Sequence, residues 1–252
     1  MRRRHEHDKS TGFHFGNQPM LLAENLSKSF GASPALQDLN LAVAVSEIYC
    51  LLGANGAGKT TTLNIFLGFL RPDGGSVRID GIDPAADPAR ARARLAYIPE
   101  QVNLYPVLSG RENLRYFAAL SGTALTLDEE AGLFRRAGLD VAAADRRVDS
   151  YSKGMRQKVG IAIALAKHAK ALLLDEPLSG LDPHAANEFC MQLRTLQESG
   201  VAVLMATHDL FRARELGGRI GIMKRGRLVD ERDATSLTAP ELEQLYLAHM
   251  QD

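Results

Sequence analysis

The chain has 252 residues, and its 30 Lys and Arg are balanced by 30 Asp and Glu, which excludes the overall basic excess of chains built around nucleic acid. Apolar residues make up 45% of the sequence, enough for a sizeable core, yet no run reaches the ~18 consecutive apolar residues of a membrane span. Cys50 and Cys190 have neither CxxC nor metal-ligand spacing and read as buried, reduced thiols.

Residues 1–19 open on basic residues but carry no apolar stretch of the secretory kind. A polar, mobile tail is expected there, His5, His7 and His14 included. From Met20 the pattern becomes regular. "MLLAENLSKSF" and "ALQDLNLAVAV" alternate apolar and polar positions, as half-buried strands do. The continuous apolar run Ile48–Leu52 ends at a glycine-rich turn. A helix is expected over residues 59–70, stopped by the turn cluster "RPDGGS", and "SVRID" reads as the next strand.

The region of about 100–168 reads as mainly helical. Ser109 with Glu112, and Thr126 with Glu129, have capping-box spacing ahead of apolar helical sequence. Gly138 stands where a helix would end. Two further apolar runs, "ALLL" at 171–174 and "VAVLMA" at 201–206, suit strands buried on both faces of a parallel sheet. Asp182 followed by Pro183 is an N-cap and first-turn pair that opens the helix between them. "RIGIMKRGRLVDE" reads as a hairpin turning at Lys224, Arg225 and Gly226, and "APELEQLYLAHM" as a closing amphipathic helix. No internal repeat and no heptad pattern occurs.

Three motifs carry chemistry. "GANGAGKT" at 53–60 matches the phosphate-loop pattern G-x-x-x-x-G-K-[ST], with an apolar strand before it and a helix after it. Gly53, Ala54, Asn55, Gly56, Ala57 and Gly58 curl the backbone so that its N–H groups face phosphate oxygens. The helix start, with Lys59, Thr60 and Thr61, adds a favourable field for an anion. Lys59 suits the β- and γ-phosphates, and the Thr60 hydroxyl suits Mg²⁺. "ALLLDEP" places Asp175 and Glu176 at the carboxyl end of a buried strand, where ligands bind in open α/β sheets. Asp175 there can hold the hydration shell of Mg²⁺, and Glu176 can act as general base toward a water. "VAVLMATHDL" ends another strand with His208, which can sense a γ-phosphate by hydrogen bonding.

Taken together, these residues resemble the ATP-binding cassette (ABC) ATPases over about Met20 to Ala234. "GANGAGKT" looks like the Walker A motif of that family, and "ALLLDEP" like its Walker B motif with catalytic glutamate. "SGLD" at 179–182 is similar to the D-loop, His208 to the switch histidine, and Phe30 to the aromatic that stacks on adenine. "YSKGMRQ" resembles the ABC signature, with Lys153 and Met155 in place of the commoner glycine and glutamine. Such variants occur in cassettes similar to drug and other ABC-2-type exporters. At the position resembling the Q-loop glutamine stands Glu100, followed by Gln101, and either side chain suits the role. "LSGRENL" and "DRRVDSYSKGMRQK" also resemble the cassette linked to copper-site maturation of nitrous oxide reductase.

The resemblance implies an α/β P-loop NTPase fold with a mostly parallel central sheet, an antiparallel β subdomain and an inserted helical subdomain. It implies an ATPase domain over 20–234 and a short C-terminal helix over 235–252. Glu176 and His208 would be catalytic. ATP and Mg²⁺ would bind at the 53–61 loop and Phe30, with Thr60 and Asp175, through water, at the metal. Ser152, Lys153, Gly154 and Asp182 would reach ATP held by a second copy in a head-to-tail homodimer. A helix N-terminus at Ser152 and Gly154 is in itself an anion site, which gives that dimer a physical reason. A separate membrane permease, contacted near residues 100–108, would place the chain peripherally on the cytoplasmic face. Leu104 and Tyr105 there suit either a docking groove or burial. No nucleic-acid partner is implied by this reading; the competing one is a soluble cassette ATPase acting on the ribosome or DNA.

Overall fold

A computed structural model describes residues 18–251, so the tail expected over 1–19, with its three histidines, lies almost wholly outside the described residues. The chain begins with β1 (Leu21–Phe30), β2 (Ser33–Val43), β3 (Ile48–Leu52), α1 (Lys59–Phe66), β4 (Gly74–Ile79), α2 (Pro88–Arg94) and β5 (Leu95–Ile98). It continues with α3 (Gly110–Leu120), α4 (Leu127–Arg136), α5 (Lys153–Ala166), β6 (Ala171–Asp175), α6 (Pro183–Glu198) and β7 (Ala202–Thr207). It closes with α7 (Leu210–Leu216), β8 (Arg219–Lys224), β9 (Arg227–Asp233) and α8 (Ala239–Met250).

Two sheets form. The larger has the order β5-β6-β7-β3-β8-β9 and is parallel except for β9, which pairs antiparallel with β8. The smaller, β2-β1-β4, is antiparallel throughout. The expected α/β class with a mostly parallel sheet and an antiparallel layer is therefore observed. Successive residues of a strand face opposite sides, and this parity divides the core in two. Cys50, Leu172, Leu174, Val203 and Met205 pack with the helices α3 to α6. Tyr49, Leu51, Leu173 and Leu204 pack with α1 and the antiparallel layer. Unbroken apolar runs are required because both sides are dry.

The first helix is shorter than the expected 59–70 and ends at Phe66. Gly68 adopts φ +74°, and the N–H groups of Phe69 and Leu70 turn back to Asn64 O. That is a left-handed helix stop, which glycine adopts without side-chain strain. The structure also adds α2 and β5, which have no counterpart in the sequence reading. α2 is opened by Asp87, whose side chain accepts from Arg90 N, with Pro88 behind it. Both expected capping boxes, Ser109–Glu112 and Thr126–Glu129, are formed. A third, Thr238–Glu241, opens α8. Among the described residues no helix is long and apolar enough to cross a membrane.

The helical region is clipped together by charge. Glu130 on α4 is fully buried and accepts from Arg111, at 3.1 Å, and from Arg115, both on α3. Arg111 in turn grips Asp145 with two hydrogen bonds, of 2.6 and 3.2 Å. Removing one partner of such a group leaves the others desolvated without compensation, a loss of about 3 kcal/mol. Glu130→Gln is therefore expected to lower the thermal midpoint by roughly 5–10 °C, read by calorimetry.

Candidate functional site

The 53–58 loop leaves β3 and turns sharply into α1. Gly56 and Gly58 hold φ of +81° and +108°. A Cβ at Gly58 would lie 2.7 Å from Ala35 O and 2.8 Å from Met223 Cε, and one at Gly53 would lie 2.6 Å from Met223 O. The loop rests so closely on β2 and β8 that no side chain fits beneath it. Lys59 is buried, and its ammonium crosses back over the loop. It donates to Gly53 O at 2.6 Å and to Ala54 O at 3.3 Å, and it stands 3.5 Å from the Glu176 carboxylate.

A cavity of about 400 Å³ opens over this loop. One wall is the loop and helix start, from Ala54 to Thr61; facing it are Asp175, Glu176 and Glu100. Phe30 and Ala35 close the side toward the antiparallel layer. Phe30 is 52% exposed, so its ring is accessible from the cavity. Of the two adjacent candidates at 100–101, Glu100 faces the cavity and Gln101 does not; Glu100 also accepts from Ser179 Oγ at 3.0 Å.

The register of the sheet sets the reacting groups. Leu52 pairs with Thr207, and Asp175 with Ala206, so three strand ends finish at one edge. Asp175 and Thr60 line the same cavity, and burial, reinforced by the neighbouring Glu176 charge, pushes the Asp175 carboxyl above the ordinary carboxylate range. Glu176 adopts φ +47°, a conformation that costs a non-glycine residue about 1 kcal/mol. Its N–H donates to Ala206 O at 2.9 Å, which holds the turn. Its Oε2 lies 2.9 Å from His208 Nδ1. Glu176 is thus aimed from two sides, by Lys59 and by His208. His208 touches the site through Glu176 rather than by lining the cavity.

The 151–158 stretch stands apart. Ser152 caps α5, accepting from Met155 N at 3.2 Å, and Asp182 caps α6, accepting from Ala185 N at 3.0 Å. Gly154 is buried, with space for a Cβ only 3.3 Å from Ala185 Cβ. None of Ser152, Gly154 and Asp182 lines the cavity. Within the single chain, Lys153 reaches the turn after β6. Its ammonium donates to Ser179 O and lies 4.0 Å from Glu100. The reason is local: that carbonyl and carboxylate are adjacent, and the lysine serves both. Met155 places its sulfur 3.8 Å from the Arg146 guanidinium, which lies over the Tyr151 ring.

Sequence reasoning missed Ala35, Met223 and Gly226, which support the loop from beneath. Gly226 N–H donates to Ala57 O at 2.9 Å. No motif marks them, apart from the glycine of a hairpin turn. The donor set as a whole suits an oligophosphate with a hard divalent cation: backbone N–H groups at a helix start and an ammonium for the anion, a hydroxyl and carboxylates for the metal.

Residues 36–179 match the family described as ABC transporter. An uncharacterised ABC transporter ATP-binding protein, YdbJ of Bacillus subtilis, is 39% identical over 217 residues, 85% of this chain and 69% of that protein. The linearmycin resistance ATP-binding protein LnrL of the same organism is 31% identical, over 83% of this chain and 68% of that protein. A solved dimer of the ATP-binding cassette MJ0796, in a post-hydrolysis state with ADP and phosphate, superposes with a TM-score of 0.75 at 30% identity. It covers 85% of this chain and 99% of its own.

The packing beneath the loop yields a test with an internal control. Gly122 has φ +77° but open space around it, so Gly122→Ala meets only the backbone cost of about 1 kcal/mol. Gly58→Ala meets that cost and a collision. It is expected to lower the thermal midpoint by at least about 5 °C more than Gly122→Ala, read in parallel melts.

Proposed function

Because the chain belongs to the ABC transporter family, we propose that this ATPase is the subunit that powers a separate membrane permease, working as a head-to-tail pair of copies. The observation that carries the pairing is the separation of two anion-binding elements. The 53–60 loop has a cavity in front of it. The start of the 14-residue helix α5, at Ser152 and Gly154, has no part in that cavity. A second copy turned head to tail would give it a γ-phosphate to face. The MJ0796 cassette, of the same fold, has been solved as a dimer with ADP and phosphate bound, which supports pairing of two copies.

Within one copy the roles follow from chemistry. The loop N–H groups and Lys59 hold the β- and γ-phosphates, and Phe30 takes the adenine face. Thr60 and Asp175 suit Mg²⁺, which when bound neutralises phosphate charge. The raised Asp175 carboxyl is consistent with a site that gains from a nearby cation. Glu176 takes the proton of the attacking water, and His208 fixes its orientation. Lys59 now lies across the loop carbonyls, so nucleotide binding exchanges those carbonyls for phosphate oxygens. Glu100 takes the Q-loop role, joined to the D-loop through Ser179.

The permease reading has its own support. A groove of about 620 Å³ lies between α2, α3 and α5, walled by Tyr97, Phe117, Leu120 and Ile163. Arg92 and Lys167 also line it. Arg90 and Arg94 on the same helix pair with Asp87 and Asp80, whereas Arg92 and Lys167 have no carboxylate partner among the described residues. Lys167 is pushed below the ordinary lysine range by burial and by Arg92. A permease segment with an apolar face and a carboxylate complements that groove. Leu104 packs against the core, while Tyr105 is half exposed and meets Tyr116 edge-on at 4.8 Å; Tyr105 is the member suited to docking. Location on the cytoplasmic face of a membrane follows from the permease reading. The 36% identity to the Nod factor export ATP-binding protein I of Paraburkholderia xenovorans supports outward transport.

Two substitutions test the proposal. Glu176→Gln is expected to cut ATP turnover about 100-fold or more while retaining ATP, leaving a stable ATP-bound pair in size-exclusion chromatography. Full turnover in that variant would remove Glu176 from its role. Ser152→Arg is expected to leave nucleotide binding by the single copy intact and to block turnover that depends on pairing. Equal loss of binding by the monomer would refute the cross-copy assignment.

A further inference from the structure

The phosphate loop is held from below by the β8–β9 turn. Gly226 N–H donates to Ala57 O at 2.9 Å. Gln37 ties the same turn to β2, its N–H donating to Gly226 O and its side-chain amide to Arg225 O, both at 2.9 Å. Met223 sits directly under Gly53 and Gly58. The bond to Ala57 O has a specific effect. The Ala57 carbonyl and the Gly58 N–H belong to one planar trans peptide, so they point in opposite directions. Holding the carbonyl down toward Gly226 aims the Gly58 N–H up toward the cavity.

Between Met223 and this turn stands Lys224, the last residue of β8. Its ammonium donates to His249 O at 2.8 Å and to Gln251 O at 3.1 Å. These carbonyls close the C-terminal end of α8, where helix carbonyls lack intrahelical partners and the helix field is negative. α8 is also held by α7, against which it packs. Leu242 is its buried side chain, and His249 Nε2 lies 3.0 Å from Asp230 on β9. One short path of contacts therefore runs from the end of α8, through Lys224, to the peptide that presents Gly58 N–H.

We propose that α8 braces the phosphate loop, and that Lys224 is the positioning residue coupling the docking of α8 to nucleotide affinity. The inference rests on the reading of the 53–60 loop as the ATP site. When α8 is seated, the turn is pinned and the loop amides are preorganised for phosphate. When α8 lifts, the turn loosens and nucleotide binding must order the loop itself. Coupling of this kind is reciprocal, so ATP must also tighten α8, far from the cavity.

The test uses the full chain and a fluorescent ATP analogue. Lys224→Met is expected to weaken ATP about fivefold or more, and Lys224→Arg, which keeps the donor, to restore most of the affinity. His249→Ala, which removes the contact of the same helix end with Asp230, is expected to shift affinity in the same direction. In the unmodified chain, ATP is expected to slow hydrogen exchange of the 239–250 amides, and Lys224→Met to erase that slowing. Unchanged α8 exchange on adding ATP would overturn the proposal, even if Lys224→Met failed to fold. Unchanged affinity in a folded Lys224→Met would overturn it equally. Failure of the unmodified chain to bind ATP would instead overturn the nucleotide reading on which it rests.

Discussion

The site depends on the register of three parallel strands buried on both sides. β3, β7 and β6 end in step, with Leu52 beside Thr207 and Asp175 beside Ala206. A slip of one residue would turn every side chain of a strand to the other face. It would exchange the two apolar cores and turn Asp175 away from the cavity that it shares with Thr60. The hydrophobic pattern that fixes the fold is thus the same constraint that brings the phosphate loop, the carboxylates and His208 to one edge. Little additional design is needed to gather the groups, since the pairing of apolar strands does it.

Electrostatics then refine what the strands assemble. Glu176 lies between the buried Lys59 ammonium and the His208 ring, so a carboxylate in a strained left-handed conformation is steadied by polar partners on either side. Glu100 is approached by Lys153 and bonded by Ser179. The start of α5, the turn after β6 and the segment after β5 are consequently joined by polar contacts within one copy. These are contacts between separate elements at their exposed ends, and such contacts exchange partners at far lower cost than the apolar sheet could be opened.

Much of this was legible in the sequence for a physical reason. Continuous apolar runs specify dry strands, and capping boxes specify helix starts, because each is a local rule that tertiary packing rarely overrides. The loop glycines and the acids after "ALLL" followed from strand-to-ligand geometry. What was not legible depends on contacts between distant segments. β5 is short and depends on its neighbours, whereas α2 carries the same Asp-Pro start, Asp87 and Pro88, as α6, but on a helix of seven residues with Ala91 as its buried side chain. The inward turn of Lys153 depends on where Ser179 arrives, and the choice of Glu100 over Gln101 depends on strand direction at β5. Ala35 and Met223 are ordinary apolar letters whose role is set by a backbone passing within van der Waals range.

The parity of the central sheet has one more consequence. Adjacent letters in a strand answer to different compartments. Leu51 belongs with α1 and the antiparallel layer, while Leu52 belongs with the helices on the other side. The sheet is therefore a partition as well as a scaffold. Sequence drift on one side can proceed with little pressure on the other, provided that the strand backbones between them stay put. A fold built this way can change the surface it offers to partners while the wall behind its reacting groups is inherited unchanged.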